Sequence, residues 1–186
     1  MDARQGGGEP QGHRAVIRPV NGPGQDAVSV GLLGETSRED AHRSYRRDHP
    51  RPTTLLLMRF DDTPTMGAID AGVRAAATRH GRDVVRADDR DYTGELWANV
   101  ALCMHHSDLV IAVLDQIEQS DCDANVMVEL GFALAAGLRC LILVERRMHG
   151  VPAVLRHRLT YPFDALELPG SIDRQVDNWL ERNRGG

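Results

Sequence analysis

One carboxylate in this sequence stands where carboxylates are rare. Glu129 lies in the run Asn125-Val126-Met127-Val128-Glu129-Leu130-Gly131-Phe132-Ala133-Leu134-Ala135, whose other members are almost all apolar. A helix that is apolar all round is buried, and a lone glutamate inside it is unfavourable unless it faces a cleft or a partner. Asn125 reads as the N-cap, which sets Glu129 about one turn into the helix. There the helix dipole favours the ionised form, whereas apolar surroundings favour the neutral acid. A carboxylate held in that balance suits a nucleophile or a general base. The alternative is a glutamate on the one solvated stripe of its helix.

Other carboxylates gather after successive strand-like runs. Asp61 and Asp62 follow Arg59 and Phe60; Asp88, Asp89 and Asp91 follow the second run; Asp115, Asp121 and Asp123 follow the third; Glu145 follows the fourth. In an open α/β sheet these positions share one rim, where ligands bind. Acidic loops on a solvated surface give the same pattern, so the clustering alone leaves both readings open.

Some chemistries are excluded. All 22 basic residues are arginine. A Gly-x-x-x-x-Gly-Lys phosphate loop, a Schiff-base lysine and a Ser–Lys dyad are therefore impossible. The cysteines are Cys103, Cys122 and Cys140, with no Cys-x-x-Cys spacing and no even count for a disulfide frame. His105 and His106 are adjacent, so on a helix they diverge by about 100° and are not expected to chelate one metal together. No metal site is expected. A net charge of −5 does not suit a dedicated nucleic-acid binder. No apolar run approaches a membrane span, and the first residues lack the apolar core of a signal peptide. A cytoplasmic location is the expectation.

The elements that must position these residues begin near residue 53. Residues 1–52 hold 8 of the 18 glycines and 5 of the 9 prolines and read as a mostly disordered or loosely packed extension. Within them only residues 27–33 resemble a strand. Gly22-Pro23-Gly24-Gln25-Asp26-Ala27 matches a dinucleotide fingerprint only by coincidence, since no strand precedes it and no helix follows. From residue 53 strands and helices alternate. Strands are expected at Thr53–Met58, Asp83–Ala87, Leu109–Leu114, Cys140–Val144 and, at an edge because of Pro162, Leu159–Pro162. Helices are expected from Pro64 to the Gly81 stop, from Glu95 to His106, from Asn125 to the Gly137 stop, and after a Ser171 cap. Trp97 and Trp179 fall at helical positions and read as core or interface anchors. Repeated β-α units imply an α/β fold with a doubly wound, mostly parallel, flavodoxin-like sheet of about five strands flanked by helices.

The stretch from Asp123 to Gly137 resembles the signature of the nucleoside 2-deoxyribosyltransferase-like superfamily. Met58-Arg59-Phe60-Asp61, Arg86-Ala87-Asp88-Asp89 and Ser107-Asp108-Leu109-Val110-Ile111-Ala112 add to the resemblance, which covers roughly residues 53–165. It implies cleavage of the N-glycosidic bond of a nucleoside or nucleotide, by hydrolysis or by transfer to a second base. Carried onto this chain, it makes Glu129 the nucleophile at the anomeric carbon and Asp123 the residue that assists at the base. Asp88 or Asp89 would hold the sugar hydroxyls, and Phe60 would stack on the base. Arg59, Asp115 and Asn125 complete the expected substrate-binding set. No cofactor is implied, and relatives commonly assemble as homo-oligomers.

The sequence also departs from that pattern. Arg59 stands where relatives often carry proline, free to bind a phosphate or to pair with Asp61 or Asp88. The Asp61-Asp62 pair would repel a 5′-phosphate. Ala124 replaces another proline, and residues 115–122 form a longer loop than usual. The related Toll/interleukin-receptor-like domains imply an alternative, with NAD as the substrate, although their typical Trp-Cys is replaced by Val126-Met127. A phosphoacceptor receiver of the same fold needs a lysine that this chain lacks. A nucleotide-sensing or protein-interaction module without turnover is the non-enzymatic alternative.

Overall fold

A computed structural model describes residues 35–155 and 160–183. In chain order the elements are α1 (Glu35–Asp48), β1 (Thr53–Leu57), α2 (Pro64–Arg79), β2 (Asp83–Val85), α3 (Leu96–His106), β3 (Ser107–Leu114), α4 (Ala124–Ala135), β4 (Arg139–Glu145), β5 (Thr160–Phe163) and α5 (Gly170–Arg182). All four strand pairings are parallel, in the order β2-β1-β3-β4-β5. This is the doubly wound, flavodoxin-like arrangement the β-α alternation implies.

Strand alternation divides the core in two. Leu55 and Leu57 of β1, with Val110, Ala112 and Leu114 of β3, face α1, α3 and α4. Leu56 and Met58, with Ile111 and Val113, face α2 and α5. Side chains on both faces are buried, so the strands read as continuous apolar runs rather than alternating ones. Pro162 pairs opposite Val144 on the outer strand, where a missing N–H is tolerated. Gly72 lets α2 approach α5 closely, since a Cβ there would lie 3.0 Å from the Pro169 carbonyl oxygen. Trp179 is buried beside Val176 and Leu180, as its helical position suggested.

Four local expectations are corrected. Helix α4 is capped by Asp123, not Asn125: the Asp123 carboxylate accepts from the backbone N–H groups of Asn125 and Val126. Aspartate caps as well as asparagine, and the earlier of the two capping residues, one residue apart from the other, prevails here. Ser171 lies inside α5, where its hydroxyl donates to the Asp164 carbonyl instead of capping. Strand β2 stops at Val85, because residues 86–89 turn back on themselves through an Arg86 N–H to Asp89 bond. The loose packing expected of residues 1–52 does not extend to α1, whose Ala41 and Tyr45 are buried against the α3 side of the sheet. Residues 1–34, including the strand-like run and the glycine pattern, and Leu159 lie outside the described residues. Among the described residues, no helix is long and apolar enough to cross a membrane.

Candidate active site

The carboxyl ends of β1, β2 and β3 deliver most of the residues singled out from the sequence. Glu129 enters from α4, six residues after its cap. Val126, Leu130 and Ala133 turn the same side of the helix to the core, while Val128 is 63% exposed. Glu129 is on the inner side, at 7% exposure, so it does not sit on a solvated stripe. No hydrogen bond or ion pair reaches its carboxylate among the described residues. Burial first, then the like charges of Asp123 and Asp88, push its pKa up from an ordinary 4.5 to about 7. The buried Cys103 thiol of α3 lies within the electrostatic reach of Glu129, and burial pushes that thiol up to about 12, so it stays neutral.

Asp123 has two consequences here. One oxygen, Oδ1, holds the Asn125 N–H at 2.8 Å and the Val126 N–H at 3.3 Å, which fixes the start of α4. Its charge meanwhile opposes ionisation of both Glu129 and Asp115. Asn125 itself is exposed and contributes its backbone N–H to this cap.

Asp88 and Asp89, adjacent in sequence, are held differently. Arg86 grips Asp88 through Nε at 2.9 Å and through Nη2. The same guanidinium lies 5.7 Å over the ring of Phe60, which is 41% exposed at the rim. Asp89 accepts both oxygens' worth of bonds from Arg74 Nη2, at 3.0 and 2.9 Å, and closes the turn after β2. Asp88 therefore faces the Glu129 site electrostatically, whereas Asp89 braces α2 to the β2 turn.

Arg59 is 2% exposed. Its Nη2 donates to the carbonyl oxygens of Asp115 at 3.4 Å and Asp121 at 3.3 Å, so it ties both ends of the long loop after β3. Its ion-pair partners are Asp61 at 3.7 Å and Asp115 at 3.8 Å, and not Asp88. Among the described residues, Nε and Nη1 have no hydrogen-bond partner. Asp115 is buried as well. Burial raises its pKa, opposed by the Ile117 N–H and by Arg59.

Two positioning residues escaped sequence reasoning. Asn99, buried in α3, donates to the carbonyls of Ala87 at 2.6 Å and Arg90 at 2.8 Å, and accepts the Tyr92 N–H at 3.0 Å. It thereby sets the loop that carries Asp88. An asparagine inside the apolar run Leu96–Met104 was its available signal. Arg86 is the second, and its guanidinium joins Asp88 to Phe60. Trp97 is half-buried edge-on against Phe132, at 5.5 Å between ring centroids.

The site thus joins one buried carboxyl, without a partner among the described residues, to two flanking carboxylates, an aromatic ring and guanidinium groups. No protein-family model and no curated protein matches the sequence. Among the solved structures similar to the chain is a 2-desoxiribosyltransferase from Leishmania mexicana, at 24% identity and a TM-score of 0.41. The match covers 50% of this chain and 64% of that one, so the chain spans less than two thirds of that protein's length.

Proposed function

We propose that the protein cleaves the N-glycosidic bond of a nucleoside or nucleotide, with Glu129 as the nucleophile. The observation that carries this reading is the Glu129 carboxyl: buried, without a hydrogen-bond partner among the described residues and with a pKa near neutrality. A structural glutamate at such depth is ordinarily paired. One kept apart from partners is available to a substrate, and strongly shifted groups concentrate at working sites.

Glycosidic cleavage develops positive charge on the sugar ring, which an adjacent carboxylate stabilises. Glu129 attacks the anomeric carbon, and the carbon–nitrogen bond breaks with its electron pair passing to the base. The base takes up a proton relayed from solvent by Asp123; with Oδ1 held by the helix cap, that relay falls to Oδ2. Water or a second base then attacks the same carbon, gives up its proton by the same route to solvent, and releases the Glu129 carboxylate. Phe60 provides a face for the base, and Asp88 accepts from the sugar hydroxyls.

A second reading is favoured by the commitment of Asp123 to its cap. If Asp123 delivers no proton, the best substrate is one whose base departs neutral, such as NAD losing nicotinamide. Incubation with ribo- and deoxyribonucleosides, their 5′-monophosphates and NAD, assayed for free base, separates the two. Glu129→Gln keeps the shape and removes the charge. We expect it to lower base release by about 10³-fold or more while ligand affinity persists. Tight nucleotide binding with no turnover by the parent protein would instead identify a sensor.

A further inference from the structure

Away from the Glu129 rim, three imidazoles meet where α1 crosses the junction of α3 and β3. His42 lies on α1, and His105 and His106 end α3. His42 Nδ1 and His106 Nε2 are 2.8 Å apart. One ring nitrogen from each of the three histidines lies within 4.8 Å of the others, and all three residues are half-buried. The ring centroids are separated by 4.9, 4.9 and 5.0 Å. The divergence expected of adjacent helical histidines does not keep these rings apart, because α3 ends at His106 and the third imidazole comes from another helix.

We propose that His42, His105 and His106 form a binding site for a divalent transition-metal ion of the Zn²⁺ type, with a fourth position open to water. The 2.8 Å contact joins two ring nitrogens through one shared proton. When the donor ring takes its other tautomer, with the N–H proton passing through solvent to that ring's second nitrogen, the two facing nitrogens both present lone pairs to the gap between them, with a third imidazole alongside. An all-imidazole set suits Zn²⁺ and its neighbours and not Mg²⁺ or Ca²⁺, which require oxygen ligands. Zinc–nitrogen distances of about 2.0–2.1 Å place tetrahedral ligands about 3.3 Å apart. The His42–His106 pair therefore opens slightly and His105 swings inward, within the reach of side-chain rotation.

The backbone beneath the site is firm. The Thr53 hydroxyl of β1 donates to the His106 carbonyl at 2.8 Å, and the His106 ring is stacked on buried Tyr45 at 4.6 Å. Arg46 and Arg38 lie within electrostatic reach of His42, and Arg46 also of His106, so they oppose a dication, which sets a test of position. A bound ion would fasten α1 to the sheet, since its ligands lie on both sides of that contact.

The full chain, freed of metal by chelator dialysis, is titrated with Zn²⁺ against a chromophoric chelator and separately with Co²⁺. We expect one equivalent to bind, visible d–d bands of tetrahedral Co²⁺, and a higher melting midpoint with Zn²⁺. His42→Ala and His105→Ala should each weaken binding by at least about tenfold, a loss that even outer partners of metal sites produce. Arg46→Gln should tighten it, and His149→Ala, on an exposed loop after β4, should leave it unchanged. The absence of saturable Zn²⁺ binding overturns the proposal. So does binding that His42→Ala leaves intact in a folded protein, because the ion would then sit elsewhere.

Discussion

At the scale of single residues, Glu129 is legible in the sequence because a glutamate among apolar neighbours has few explanations. Its partners are less legible. That Asp123 both caps α4 and repels the Glu129 charge depends on where the chain turns, which the residue string does not state. The burial of Arg59 depends on two backbone carbonyls 56 and 62 positions away in sequence. The Asp123 charge is the second cause of the raised Glu129 pKa, after burial. Asp123→Asn retains a capping side chain and removes that charge. A carbon-detected NMR titration of the Glu129 carboxyl should place its midpoint near 7 in the parent and lower in the variant. An unchanged midpoint would mean that the two carboxyls do not sense one another. A nucleophile must be ionised, so kcat/KM should fall as the pH drops through about 7.

At the scale of elements, the strands and the helices after residue 53 follow from apolar runs, proline starts and glycine stops. Gly81 and Gly137 end α2 and α4 with φ of +69° and +77°, a backbone region that favours glycine. Helix α1 is hidden in the sequence because its anchoring rests on Ala41, Tyr45 and a stacked histidine ring, within a segment whose other twelve residues are charged or polar and which shows no apolar stripe. The loop from Ala87 to Tyr92 was equally hidden, since it is shaped by one side chain outside it. Asn99→Ala removes three hydrogen bonds from that loop at once. Two are donated by the side chain and one is accepted from Tyr92. We expect a loss of about 2 kcal/mol or more in urea unfolding and a raised KM, because Asp88 is no longer held beside the site. A variant with parental stability and KM would show that the loop holds its shape without Asn99.

For the whole molecule, the doubly wound order brings the ends of β1, β2 and β3 to a single rim, and the β-α alternation was enough to foresee it. The same arrangement makes the protein carry an unstable residue at its centre. The Glu129 pKa is raised in the folded state, so the native protein binds its proton more tightly than the unfolded chain. Its burden is absent below about pH 4.5 and grows as the pH rises through about 7. Glu129→Gln should therefore raise stability at pH 8 by at most about 3 kcal/mol, and the gain should vanish near pH 4.5. Parallel melting curves at the two pH values check this, and a variant less stable than the parent at pH 8 would contradict it. A final consequence comes from Arg59. Because one guanidinium nitrogen clasps the carbonyls at both margins of the loop after β3, the span between them behaves as a cassette. Its exposed tip, residues 118–120, is open to exchange for other sequences that alter which molecules enter, while the knot at its base stays tied.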